Sequence, residues 1–206
     1  MRIGLDFDNT IVRYDEVFRQ AAERRGLLAP GFAGSKQQVR ELIRSRPDGE
    51  LSWQALQGYV YGRGIERATL FPGVSAFLKR ARAQGDTVLI VSHKTEHGHF
   101  DPEKINLRSA AIQWMEEREF FSDWGFSMSP GDVHFASTRS EKLGRIAELK
   151  CDVFVDDLEE VLADAEFPDG VRRILFSDRA EATGDLPYHV CRDWRAIEEI
   201  VFFGHG

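Results

Sequence analysis

Short apolar runs alternating with stretches of helical apolar spacing constrain this chain more than any other feature. Residues 3–5, 87–91, 133–136, 151–155, 172–176 and 188–190 have the length and apolar content of buried strands. Between and after them, residues 74–84, 105–119, 141–150, 158–165 and 194–203 carry apolar residues at helical spacing, such as Val74, Phe77, Leu78 and Ala81 in the first. Parallel strands need a crossover between them, and a helix is the usual one. The alternation therefore predicts an α/β fold: a parallel, Rossmann-like sheet with helices on both faces.

Residues 13–70 break this rhythm. Residues 14–25, 35–46 and 51–61 read as helices, the second with a Val39, Leu42, Ile43 stripe, separated by Pro30-Gly31 and Pro47-Asp48-Gly49. Gly62-Arg63-Gly64 and Phe71-Pro72-Gly73 close the segment. The expected organisation is a core of residues 1–12 and 71–206 with a small inserted helical cap of residues 13–70. Trp53, Leu56 and Val60 share one helical face and read as the inner face of that insertion.

The strands end in acid. Asp6-Phe7-Asp8-Asn9-Thr10 follows Ile3-Gly4-Leu5, and Asp156-Asp157 follows Val153-Phe154-Val155. In open α/β sheets ligands bind beyond the carboxyl ends of the strands. Asp is also an ordinary turn residue, but two acidic pairs at two such tips describe a hard-cation site of the kind Mg²⁺ occupies with carboxylate and phosphate oxygens. Ser92, after Val91, supplies a hydroxyl at a third strand tip, and Lys142, early in a helix, supplies a cation to offset the carboxylates.

The order Asp-x-Asp-x-Thr, Ser, Lys, Asp-Asp resembles the haloacid dehalogenase superfamily, mostly phosphate-monoester hydrolases, and the match spans nearly the whole chain. The resemblance implies Asp6 as nucleophile and Asp8 as general acid and base. It implies Thr10, Ser92 and Lys142 at the phosphate, with Lys142 also catalytic. It implies Mg²⁺ held by Asp6, the Asp8 main-chain carbonyl, Asp156 and Asp157. Halide-displacing members lack the second carboxylate of the first motif, so Asp8 matches the phosphatases. The expected activity is Mg²⁺-dependent hydrolysis of a small phosphorylated metabolite, a sugar phosphate or nucleotide, through an aspartyl-phosphate. Transfer to an acceptor other than water, or ligand binding without turnover, are the alternatives. A phosphate-accepting receiver domain ranks last, because those run to about 120 residues without a helical insertion.

Charge and composition bound the rest. A hydrophobic fraction of 42% and an aromatic fraction of 11% belong to a folded chain. The net charge of −7 disfavours nucleic acid as a partner. No apolar run approaches the roughly 20 residues of a membrane span, and with no signal-type segment at Met1 a cytoplasmic setting is expected. Cys151 and Cys191 give no disulfide framework or metal-ligand spacing, and Cys151, opening an apolar strand, reads as a buried thiol. Residues 11–70 carry 10 Lys/Arg against 7 Asp/Glu, while the remainder is acidic. A basic insertion fits an anionic ligand, with Tyr61, Arg63, His93 and Lys94 as candidate substrate contacts. His93, His97 and His99 could ligate Zn²⁺, although their polar, Gly-containing segment reads as a surface loop.

Overall fold

The computed structural model describes residues 1–98, 104–177 and 185–204. In chain order the elements are β1 (Arg2–Leu5), β2 (Val12–Arg13), α1 (Asp15–Arg24), α2 (Lys36–Arg44), α3 (Gly49–Tyr61), β3 (Thr69–Leu70), α4 (Val74–Ala83) and β4 (Thr87–His93). Then follow α5 (Leu107–Glu117), β5 (Val133–Ala136), α6 (Arg139–Glu148), β6 (Val153–Asp156), α7 (Glu159–Leu162), β7 (Arg172–Phe176), β8 (His189–Cys191) and α8 (Trp194–Phe203). Two 3₁₀ turns, Arg63–Arg67 and Pro130–Asp132, complete the described elements.

The chain divides into two compact units: Met1–Val12, Leu70–His93 and Glu119–Gly206 form the first, Arg13–Thr69 and Lys94–Arg118 the second. The first holds a six-stranded parallel sheet in the order β5-β4-β1-β6-β7-β8. β1 lies between β4 and β6, with Leu5 level with Ile90 on one side and Val155 on the other. This register brings the acidic strand ends of β1 and β6 side by side. One face packs Leu89, Val91, Phe154 and Leu175 against Leu143 and Ile146 of α6 and Val161 and Leu162 of α7. Elsewhere in the unit, Trp194 of α8 meets Phe77 of α4 edge to face at 5.0 Å, and its indole N–H donates to the Thr10 carbonyl at 3.2 Å. Gly73 is required where α4 begins: its φ is 95°, and a Cβ there would stand 2.7 Å from the Trp194 Cβ.

The second unit is helical. Phe18 stacks on Trp53 at 5.0 Å, and Val39, Ile43, Leu56 and Val60 are fully buried around them. Leu42, expected on the same stripe, is 44% exposed. The expected division is also corrected, since residues 94–118, with α5, cluster with residues 13–69 instead of the sheet. Hydrogen bonds explain why. The Trp114 indole N–H donates to Ala68 O at 3.1 Å, and the Arg118 guanidinium donates to Glu66 O and Ala68 O at 2.8 and 3.0 Å. Gly98 lies so close to Gly58 that a Cβ on it would sit 2.5 Å from the Gly58 Cα.

Within the sheet unit, β4 and α7 depart from expectation in where they end. β4 runs on to His93, so Ser92 pairs with Phe135 inside the ladder and does not follow it. The helix expected over 158–165 stops at Leu162, because Asp164 turns the chain by accepting the Glu166 N–H at 3.0 Å. Among the described residues no helix is long and apolar enough to cross a membrane.

Candidate active site

Strand alternation selects which side chains meet. Gly4 and Asp6 share one side of the β1 line, and Phe154 and Asp156 share the same side of β6. Asp6 lies one residue past β1, but its N–H still donates to Val155 O at 2.9 Å, which holds it in register. That face is the one covered by α6. Thr138 caps α6, its hydroxyl accepting the Glu141 N–H at 3.1 Å, so the helix starts at Arg139 and not at 141 as expected. Lys142 then shares the inward side with Leu143 and Ile146.

The Lys142 ammonium donates to Asp6 Oδ1 at 2.7 Å and to Asp156 Oδ2 at 2.6 Å. All three groups are buried, Lys142 at 1% exposure and Asp156 at 0%. The other oxygen of Asp156 accepts the Leu158 N–H at 2.9 Å, so this carboxylate is fixed at both ends. One oxygen each of Asp6, Asp156 and Asp157 lie within 4.8 Å of one another, a set that could hold a metal ion. Neither His93 nor His97 belongs to that set, and His99 lies outside the described residues. His93 is exposed, with Nε2 2.9 Å from Ser137 O, and the exposed His97 bridges to Asn106.

Burial dominates the electrostatics. It pushes the Asp6 carboxyl up to about 6; Lys142 works against that shift, and Asp156 and Asp8 add to it. Burial also disfavours the Lys142 ammonium, but the two carboxylates outweigh it and hold its pKa above that of an ordinary lysine. The cation is therefore permanent near neutrality.

The turn between β1 and β2 places the remaining candidates of the first motif. The N–H groups of Ile11 and Val12 both donate to Phe7 O, and Asn9 adopts a left-handed φ of 63°, a conformation Asn tolerates well. Asp8 is half-buried in this turn. Thr10 is fully buried, and its hydroxyl faces Asp157 Oδ1 at 3.5 Å, a long contact, so it points toward an acidic residue of the cluster. Ser92 is 1% exposed and its Oγ has no hydrogen-bond partner among the described residues. A buried hydroxyl without a partner is a costly arrangement that calls for an explanation.

Three candidate substrate contacts belong to the helical unit. Tyr61 accepts a hydrogen bond from Lys36 and meets Tyr14 edge to face at 5.0 Å. Lys94 is buried beside the Tyr61 ring, and Arg63 is exposed at the start of a 3₁₀ turn.

Sequence reasoning missed the anchors of the site: the Trp194 bond to Thr10 O, the Leu158 N–H on Asp156, and Tyr188, whose hydroxyl donates to Glu159 at 2.5 Å and ties down α7 just after the acidic pair. Partners 29 or 184 residues apart leave no local signal. Cys151 is buried as expected, Cys191 is buried too, and burial pushes each thiol up to about 11.

No family model matches the sequence, and no curated protein does. Solved structures do. A haloacid dehalogenase-like family hydrolase from Streptococcus pneumoniae superposes with a TM-score of 0.59 at 13% identity, covering 95% of each chain. The HAD-hydrolase YfnB from Bacillus subtilis, bound to magnesium, gives 0.60 at 11% identity over 98% of each. Protein Tyrosine Kinase A from Mycobacterium tuberculosis gives 0.56 at 16% identity over 98% of this chain and 97% of that one. At these identities the likeness is one of fold.

Proposed function

With the haloacid dehalogenase-like fold as premise, we propose that this chain is a phosphatase of that superfamily, hydrolysing a small phosphate monoester through an aspartyl-phosphate on Asp6. The observation that carries this reading is the buried Asp6–Lys142–Asp156 cluster, with Asp157 alongside. Two carboxylates clamped on one ammonium in a water-poor site are expensive to maintain for stability alone.

The donor set fits Mg²⁺. Asp6, Asp156 and Asp157 offer only oxygen atoms, at a mutual spacing a single cation could span. These three residues would hold the metal, with the Asp8 main-chain carbonyl as a further donor. When bound, it would supply positive charge to the phosphate and so lower the repulsion between two anions.

The residues of the chain supply the rest. A carboxylate oxygen of Asp6 attacks phosphorus while the ester P–O bond breaks, and Asp8 gives its proton to the leaving alkoxide. Water then attacks phosphorus, Asp8 takes back a proton, and the bond to Asp6 breaks to release inorganic phosphate. Lys142 keeps Asp6 ionised and faces the charge on the transferring group. The unpartnered Ser92 hydroxyl is a donor suited to a phosphoryl oxygen. Thr10, directed at Asp157, orients that carboxylate. The helical unit, with Tyr61, Arg63 and Lys94, selects the substrate. The substrate class is a small phosphorylated metabolite such as a sugar phosphate or nucleotide. Transfer to an acceptor other than water would use the same residues, and product analysis separates the two.

The test is phosphate release from an aryl phosphate and a panel of phosphorylated metabolites, with Mg²⁺ and after chelation, for the wild type and Asp6→Asn. We expect Mg²⁺-dependent release that Asp6→Asn abolishes. Release by Asp6→Asn above a few per cent of wild type would overturn the assignment of the nucleophile.

A further inference from the structure

We propose that this chain pairs with a second copy of itself by reciprocal insertion of Trp124 into a cavity beside it, at the edge of the sheet where β4 begins. Trp124 is 88% exposed, the most exposed large hydrophobic side chain among the described residues, whereas Trp53, Trp114 and Trp194 are at most 3% exposed. Its segment is tightly held. The Arg82 guanidinium of α4 donates to the carbonyls on either side of it, Asp123 O at 2.9 Å and Gly125 O at 3.0 Å. The N–H groups of Phe126 and Met128 return to Glu119 O and Phe120 O at 3.1 and 2.9 Å, and the Phe120 and Phe126 rings meet edge to face at 5.0 Å. A Cβ on Gly125 would lie 1.9 Å from Glu119 O, so the turn requires glycine. An indole held outward on fixed backbone loses little freedom when it is covered, which suits it to anchor an interface.

A receptor for the indole lies in the same patch. Arg82 and Phe126, which fix the Trp124 turn, also line a cavity of about 250 Å³ with Leu78, Val88, Met128 and Asp132. An apolar cavity of about 150 Å³ takes a benzene ring, so this one has room for the larger bicyclic indole. Trp124, being exposed, does not fill it. One oxygen of Asp132 accepts the Ser129 N–H at 3.1 Å, and a carboxylate has acceptor capacity left for an indole N–H.

A protruding ring beside a hole of its own size is self-complementary. A two-fold axis through the patch seats each Trp124 in the other copy's cavity and closes the pair, whereas ring and hole on distant faces would build an open chain. Charge is complementary too: Arg82 brings a cation and Asp123 and Asp132 bring carboxylates, so across the axis each copy offers the other an opposite charge. Two indoles that bury about 150–250 Å² each supply only part of the roughly 1,200–2,000 Å² of a stable interface. The dimer is therefore a weak one that depends on concentration. It forms at the opposite end of β4 from Ser92.

Sedimentation velocity across micromolar concentrations tests the pairing. Wild type should pass from monomer to dimer. Trp124→Ala removes the ring and Thr87→Lys fills the hole, so each should weaken the dimer at least tenfold. The first variant keeps an intact hole and the second an intact ring, so their mixture should associate more strongly than either alone. Iodide quenching of tryptophan fluorescence reads Trp124 selectively, since the other three are buried. Quenching in wild type should fall as the dimer forms, and Trp124→Ala should show little at any concentration. Trp124→Ala changes an exposed side chain and decides the matter if Thr87→Lys lowers the thermal melt. A wild type that stays monomeric with its tryptophan open to iodide, a dimer of unchanged affinity in Trp124→Ala, or growth beyond a dimer overturns the proposal.

Discussion

Replacing Lys142 with Met should destabilise the fold in a way that depends on pH in one direction only. The side chain is 1% exposed and its ammonium contacts Asp6 and Asp156 at 2.7 and 2.6 Å. Even with that cation present, burial holds the Asp6 carboxyl at about 6 against an ordinary 3.8. At 1.36 kcal/mol per unit, that is already about 3 kcal/mol against the ionised form. Met keeps the bulk of the stem but leaves two neighbouring carboxylates in the same buried space. Removing one partner of a buried pair costs about 3–5 kcal/mol.

The sign of the pH dependence follows from linkage. In the variant, Asp6 loses the cation that opposes its burial and rises further. A carboxyl whose folded pKa is raised costs nothing below its unfolded pKa, near 3.8, and costs most above its folded pKa. The deficit of Lys142→Met should therefore be small near pH 4, grow through pH 6, and reach about 3–5 kcal/mol by pH 8. Urea unfolding across this range, with slopes compared to confirm a common unfolded state, measures it. A deficit constant with pH, or one that grows toward acid, would refute the clamp as the cause.

Three further perturbations probe the site and its support. Ser92→Ala should stabilise the protein by about 1 kcal/mol, since it removes a buried hydroxyl without a partner, while raising KM for phosphate esters; loss of stability in a thermal melt would contradict the first half. Asp156→Asn should raise the Mg²⁺ concentration for half-maximal activity at least tenfold, with a smaller shift for Asp157→Asn, and a Mg²⁺ titration of initial rates decides. Gly4→Ala places a Cβ 2.5 Å from Phe154 Cδ2 and 2.9 Å from Cys151 Sγ, so it should cost about 1–3 kcal/mol in chemical denaturation, and a neutral result would mean that this face of the sheet yields.

Where the sequence was legible, the reason is periodicity. Continuous apolar runs such as residues 87–91 announce a strand covered on both faces, and the strand-end acids stand out because nothing in a buried sheet otherwise asks for them. Helix ends were set by side-chain caps and turn bonds that short-range patterns only hint at, which is why α6 began two residues early and α7 ended three residues short. The strands Val12–Arg13 and Thr69–Leu70 span two residues each and have no period to detect. The assignment of α5 failed for a different reason. A stripe of Ala111, Trp114 and Met115 reveals that a helix has an inward face but not which body it faces. That depended on Trp114 and Arg118 finding carbonyls at residues 66 and 68. Lys142 was singled out as a cation, but its grip on both Asp6 and Asp156 required the β1–β6 register. Lys36 carried no signal at all, because its partner Tyr61 is 25 residues away.

The central position of β1 has a consequence for how the chain is made. β1 leaves the ribosome before both of its neighbours in the sheet, β4 and β6, the latter ending at Asp156. Residue 6 meets Lys142 across 136 positions of sequence, and closing such a loop is slow compared with local contacts. Until β6 has emerged, one edge of an apolar strand stays open and the two acidic tips remain apart. A nascent chain released before β6 would carry the nucleophile without the residues that hold its charge, and an unpaired edge open to other chains.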